Sequence, residues 1–264
     1  MTATLEAAEF GSGPPIAILH GMFGSGRNWA GIAQRLAAHN HVIAFDLRNH
    51  GASPWADTMT YGEMAEDIRA AMQRRGYHRY ALLGHSMGGK VAMVATLTCP
   101  DTIERLMVVD IAPITYPPSY LAYVKAMRAV DLGPNTRRRD VDAQLANVIR
   151  SPEERAFLQQ SLVFNGGAPH WRFNLAALET AMPALAGFPT FGDGTRYDGP
   201  ALFIGGGRSD ALKPEHEPAV TSLFPNATFA RIADAGHWIH ADQPERFLAL
   251  VEQFLAVRIL GDAD

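Results

Sequence analysis

Cysteine is nearly absent: Cys99 stands alone in a chain of 264 residues. No intramolecular disulfide can form, which suits a reducing compartment. A dominant charge is lacking too. The 23 basic and 27 acidic side chains leave a net charge of -4, which gives no electrostatic footing for nucleic acid or an anionic membrane. The one basic run, Arg137-Arg138-Arg139, has the length of a solvated helix face. No apolar stretch approaches the ~18 residues a bilayer span needs. The opening "MTATLEAAEFGSGPP" has neither the basic nor the apolar region of a secretory leader. The expectation is a cytoplasmic protein with no nucleic-acid or membrane partner. Repeats and low-complexity tracts are also missing. With 47% hydrophobic and 19% charged residues, the chain can bury a sizeable core rather than stay disordered.

What is present is alternation. The runs at 16–21, 42–47, 80–85, 105–111 and 201–206 are almost continuously apolar, as parallel strands covered on both faces should be. Residues 227–233 form a weaker sixth candidate. Helical patterns lie between them. Thr60 followed by Glu63 predicts a capping box ahead of an apolar face of Met64, Ile68 and Met72, with Gly76 as the stop. Pro100 ends a helix over 87–98, and Pro244 opens an amphipathic closing helix over 244–257. The reading is a doubly wound, mostly parallel α/β sheet. Residues 113–190 interrupt it with four short helical patterns and no convincing strand. They are expected to form a helical insertion between two sheet strands, with 1–112 and 191–264 as the core.

The chemistry starts at "LLGHSMGGK" (82–90). Gly84-His85-Ser86-Met87-Gly88 is G-x-S-x-G between a strand and a helix, the context of a nucleophile elbow. Such a turn lifts the serine above the sheet edge, and the helix N-terminus behind it favours a developing oxyanion. A glycine-rich turn capped by serine is the plainer alternative. A serine needs a base. His237, in "ADAGHWIH", follows the last strand candidate, where loops at the carboxyl ends of an open sheet build a site. His85 adjoins the serine but is expected to point away. His20, His50 and His240 are loop histidines. "HWIHAD" has no companion ligand cluster, so no metal and no cofactor is expected. The orienting acid has two candidates. Asp210, in "GGGRSDAL", follows the strand at 201–206. Asp110 ends "LMVVD". Both give the order Ser…Asp…His; the G-x-x-D spacing from Gly207 favours Asp210. Oxyanion donors are the N–H groups of Met22, in "HGMFGSG", and Met87, ahead of Phe23. Phe23 and Trp238 are expected to line the substrate site.

Together, "LHGMFGS", "DLRNHGAS", "LLGHSMGG", "VVDIAP" and "AGHWIHAD" resemble the α/β-hydrolase superfamily across essentially the whole chain. The pairing of "GHSMGGKVAM" with "VVDIAP" and "GHWIHAD" looks like a branch of small bacterial esterases with a mitochondrial abhydrolase relative. That resemblance implies hydrolysis of acyl esters, and in some members acyl-CoA thioesters. It implies that 113–190 is a cap, and that Asp46, Arg48 and His50 are scaffold. It also implies an acid at Asp110, because branch members often lack one at the position of Asp210.

Other readings are weaker. "GSGRNW" with Asp46 beyond it mimics a dinucleotide fingerprint, but Trp29 fills its third glycine position. A receptor or scaffold on the same fold would keep the residues without turnover. Lactone, carbon–carbon and haloperoxidase chemistries share the Ser/His/Asp set. Epoxide and haloalkane hydrolysis normally put a carboxylate where Ser86 stands. A small acyl ester or thioester is therefore the expected partner, with the oligomeric state open.

Overall fold

The computed structural model describes residues 2–118, 120–165 and 167–256. In chain order the first part runs β1 (Ala7–Phe10), β2 (Pro15–Leu19), α1 (Ala30–Leu36), β3 (His41–Phe45), α2 (Tyr61–Arg74), β4 (Tyr80–His85), α3 (Met87–Thr98) and β5 (Ile103–Val109). The chain then leaves the sheet for α4 (Tyr120–Ala129), α5 (Arg138–Leu145), α6 (Pro152–Gln159), β6 (Leu162–Val163), β7 (His170–Trp171) and α7 (Leu175–Ala186). It returns as β8 (Ala201–Gly206), α8 (Glu217–Leu223), β9 (Ala227–Ile232), α9 (Ile239–Asp242) and α10 (Pro244–Ala256).

Seven strands form one sheet in the order β1-β3-β2-β4-β5-β8-β9. Strand β1 is antiparallel to β3, and the other neighbours are parallel. The continuous apolar runs occupy the centre: every residue of β4 and of β8 is buried. Helix α3 is buried from Met87 to Leu97, which explains why its apolar residues show no single face. The amphipathic helices behave differently. Thr60 Oγ1 accepts from the Glu63 N–H at 3.2 Å, and Glu63 Oε2 accepts from the Thr60 N–H at 2.8 Å. Gly76, at φ +84, follows the end of α2 in the left-handed region that glycine tolerates.

Two elements depart from the sequence reading. Strand β1 was not anticipated; its four residues carry no apolar run, and it forms by edge pairing, Ala7 with Phe45 through Phe10 with Val42. Within 113–190, β6 and β7 pair antiparallel, Leu162 with Trp171 and Val163 with His170, where no strand was expected. Two-residue strands cannot show a period. The Trp171 indole N–H donating to the Met127 carbonyl at 3.2 Å ties β7 to α4. Val124, Met127, Leu145, Trp171 and Leu178 belong to one continuous apolar cluster with Val91 of α3, Leu106 of β5 and Phe203 of β8.

Candidate active site

The carboxyl ends of β2, β4, β5, β8 and β9 share one edge of the sheet, and the loops leaving them carry Met22, Ser86, Asp110, Ser209 and His237. Parallel strands make this convergence automatic. Ser86 sits between β4 and α3 at φ 52, ψ -118. A non-glycine residue held there carries strain of about 1–3 kcal/mol, which the surroundings must over-determine. They do so partly through the Ser86 N–H, which donates to the Val109 carbonyl at 2.9 Å. The flanking glycines are required by approach. A Cβ on Gly88 would lie 2.5 Å from the His20 carbonyl oxygen, and one on Gly84 would run into the Gly88 backbone.

His237 faces both ways. Its Nε2 is 3.0 Å from Ser86 Oγ, and its Nδ1 is 2.7 Å from Asp110 Oδ2. Asp110 is fully buried and at φ 53 also sits in the left-handed region. Its Oδ1 accepts from the Gly206 N–H at 2.9 Å, and its Oδ2 accepts from the Ser209 hydroxyl as well. A carboxylate oxygen only accepts, so Nδ1 carries the proton in this contact and Nε2 is left to accept from Ser86. The His237 carbonyl is held by His85, whose Nε2 donates at 2.8 Å. His85 thus bonds the backbone of His237 and steadies its loop. Burial drives the His85 pKa well below the usual imidazole value, so it acts as a neutral donor.

Asp210, the acid favoured by spacing, is not part of this chain of hydrogen bonds. Its side chain is 92% exposed and pairs with Lys213 at 3.0 Å. The reason is local. The loop after β8 presents Ser209, one residue earlier, to Asp110, and that turns Asp210 outward to the mouth of the cavity. Ser209 was missed, although it lies in the same "GGGRSDAL" segment; a hydroxyl that serves an acid leaves no spacing signal.

The Met22 loop is built by two neutral histidines. His20 Nδ1 donates to the Gly21 carbonyl at 2.8 Å, and its Nε2 accepts from the Leu47 N–H at 3.0 Å. His50 Nδ1 donates to the Arg48 carbonyl at 3.1 Å, and its Nε2 accepts from the Phe23 N–H at 3.3 Å. Burial lowers them to about 4 and about 3, which fits imidazoles that accept as well as donate. The Phe23 N–H is therefore spent. Met22, and Met87 as the first residue of α3, flank Ser86 in the same cavity; an N–H in a first helical turn has no carbonyl of its own helix to bond. Asp46 accepts from the Gly26 and Ala52 N–H groups at 2.7 and 2.8 Å, and Arg48 forks onto Asp67 at 2.6 and 2.9 Å. Both brace loops.

A cavity of about 300 Å³ opens beside Ser86 and His237 and is walled by Tyr61, Lys90, Tyr120, Met182 and Leu185. A recess of about 20 Å³ also borders Ser86 and His237 and is lined by Phe23, Glu154, Phe157 and Trp238. Phe23 meets Tyr120 and Phe173 edge-on, each at 5.7 Å between ring centres. Trp238 packs on Phe157 at 5.3 Å. Helices α4 and α7 and the hinge before α4 thus supply much of the wall facing the serine.

A serine raised on a positive-φ turn at the carboxyl edge of a parallel sheet, with glycines forced by contact on both sides, is the architecture of an α/β hydrolase. The chain belongs to that family: the profile described as "alpha/beta hydrolase fold" matches residues 14–244. It is 39% identical over 251 residues to the mouse (Mus musculus) sn-1-specific diacylglycerol lipase ABHD11, covering 92% of this chain and 81% of that one. It is 33% identical over 242 residues to esterase YbfF of Escherichia coli (strain K12), covering 91% and 92%. Among solved structures, "Marine microorganism esterase" superposes with a TM-score of 0.92 at 34% identity, covering 96% of this chain and all of that one. No described helix is long and apolar enough to cross a membrane.

Proposed function

We propose that the protein is a cytoplasmic serine hydrolase that cleaves carboxylic esters through an acyl-enzyme. The observation that carries this reading is the chain Ser86 Oγ, His237 Nε2, His237 Nδ1, Asp110 Oδ2, at 3.0 and 2.7 Å. Ser86 Oγ attacks the ester carbonyl carbon while its proton passes to His237 Nε2. The oxyanion is received by the N–H groups of Met22 and Met87. The carbon–oxygen bond to the leaving group breaks, and His237 returns the proton to the departing alkoxide. Water then attacks the acyl-enzyme, with His237 again as base, and Ser86 recovers its hydrogen. Asp110 keeps Nδ1–H in place throughout and stabilises the imidazolium. Proton transfer in each step runs along the Ser86, His237 and Asp110 contacts, and the reading invokes neither metal nor cofactor.

The acyl group occupies the larger cavity, whose size is at the lower end for small-molecule sites. Residues 113–190 act as a cap over it, and Phe23 and Trp238 shape the smaller recess. The mouse relative's name puts glycerol esters beside simple alkyl esters as substrates to try; thioesters share the chemistry. The deciding experiment is a panel of p-nitrophenyl esters, acylglycerols and acyl-CoAs of graded length, run on the wild type and Ser86→Ala, with fluorophosphonate labelling alongside. The reading requires turnover and labelling that both vanish in Ser86→Ala. Tight ligand binding without turnover would mark a receptor instead.

A further inference from the structure

Lys90 lies one helical turn beyond Ser86 on α3 and is 2% exposed. Among the described residues it makes no ion pair with a carboxylate. A buried ammonium without a counter-ion is costly unless its protons are bonded. Its Nζ donates to the carbonyls of Ile114 at 2.8 Å, Ala186 at 3.0 Å and Gly187 at 2.6 Å. Those residues lie at the two ends of the insertion: Ile114 between β5 and α4, Ala186 and Gly187 at the end of α7. The two ends are also bonded to each other, since the Tyr116 N–H donates to the Ala186 carbonyl at 2.9 Å. The rings of Tyr116 and Tyr61 face the ammonium at 4.9 and 5.8 Å. Burial lowers the Lys90 pKa to about 7; in the ammonium form all three N–H bonds of Nζ are spent on these carbonyls, which leaves none for a substrate carboxylate.

We propose that Lys90 is a latch, a positioning residue that pins both ends of the insertion to the helix of the nucleophile and so fixes the depth of the acyl cavity. Lys90, Tyr116, Leu185 and Ala186 line one cavity together, and one ammonium joins three carbonyls from both ends of the insertion to α3. Releasing it frees the junction to move outward and the cavity to deepen. The statement about acyl depth rests on the esterase reading above; the statement about the hinges does not.

The test compares wild type with Lys90→Met, which keeps an unbranched side chain one atom shorter and removes its donors, and with Lys90→Arg, which keeps donors and charge. Hydrogen exchange of the Ile114, Tyr116 and Gly187 amides is read against that of β4, with no substrate present. In Lys90→Met these amides are expected to exchange at least about tenfold faster, the scale of losing one charge-assisted bond. The ratio of kcat/KM for p-nitrophenyl decanoate to that for the butyrate is expected to rise by a similar factor, and Lys90→Arg is expected to restore part of both. Unchanged hinge exchange overturns the latch. Faster exchange with an unchanged chain-length ratio overturns its link to cavity depth. If Lys90→Met does not fold, native-state exchange of the wild type in low urea decides. One shared denaturant dependence for the three amides upholds the latch, and separate dependences refute it. A wild type that hydrolyses no ester defeats the proposed function and leaves the exchange result standing.

Discussion

Replacing Asp110 by asparagine changes one oxygen to NH₂, and the surroundings dictate which way the amide sits. The Gly206 N–H is a fixed donor 2.9 Å from Oδ1, so the asparagine oxygen must take that place. The NH₂ group then faces Ser209 and His237. The Ser209 hydroxyl can rotate to accept, but His237 Nδ1 can accept only if it is unprotonated. The proton therefore moves to Nε2, 3.0 Å from Ser86 Oγ, and the base can no longer take the serine proton. A wrong-tautomer variant in serine proteases loses about 10⁴ in kcat, equivalent to about 5.4 kcal/mol of transition-state stabilisation at 1.36 kcal/mol per tenfold. Asp210→Asn removes only a solvent-exposed pairing with Lys213 and is expected to stay within about threefold of wild type, as exposed pairs contribute little. Steady-state kinetics on p-nitrophenyl butyrate, with both variants side by side, read the difference. Asp110→Asn keeping more than about a tenth of wild-type kcat/KM, or Asp210→Asn losing more than Asp110→Asn, would refute the tautomer argument.

Acid should unfold the protein through its buried imidazoles. An unfolded histidine binds a proton near 6.5, whereas His20 waits until about 4 and His50 and His240 until about 3. Stability is full above pH 6.5 and falls as pH drops through that window, each group adding a slope of up to about 1.4 kcal/mol per pH unit; urea midpoints that do not change between pH 7 and 5 would contradict this. Met182 of α7 walls the larger cavity, so Met182→Trp is expected to lower kcat/KM for p-nitrophenyl octanoate by at least about tenfold while the acetate is nearly unaffected; one methylene in such a pocket is already worth ~1–3 kcal/mol. Equal losses on both esters would remove Met182 from the acyl wall. Gly88→Ala gains helix propensity but drives a Cβ into the His20 and Leu19 carbonyls at 2.5 and 2.6 Å; overpacking of about 1–3 kcal/mol should outweigh a gain of about 1, and a variant more stable than wild type in urea would overturn that balance.

How much was legible in the chain follows from the kind of signal each feature leaves. Buried parallel strands write themselves as apolar runs, so β2, β3, β4, β5 and β8 could be read, and edge strand β9 more weakly. Strand β1 could not, because its stability lies in pairing with β3 and its half-exposed residues are free to be polar. The serine turn was legible because contact forces glycine at two fixed offsets, and His237 because it follows the last strand. By spacing, the aspartate that meets His237 was not, since Asp110 and Asp210 stand in the same chain order and each follows a strand; the family resemblance alone pointed to Asp110. What separates them is conformational. Asp110 takes a left-handed backbone at the end of β5 that aims its carboxylate across the sheet edge. The loop after β8 spends Ser209 on that carboxylate and leaves Asp210 in solvent. Neither fact has a composition or a period. The same holds for Lys90, whose three carbonyl partners lie 24 to 97 residues further along the chain. Residues whose neighbours are close in sequence announce themselves by spacing. Those whose partners arrive from distant loops are specified by the fold, as Asp110 is by Gly206, Ser209 and His237 and Lys90 by Ile114, Ala186 and Gly187.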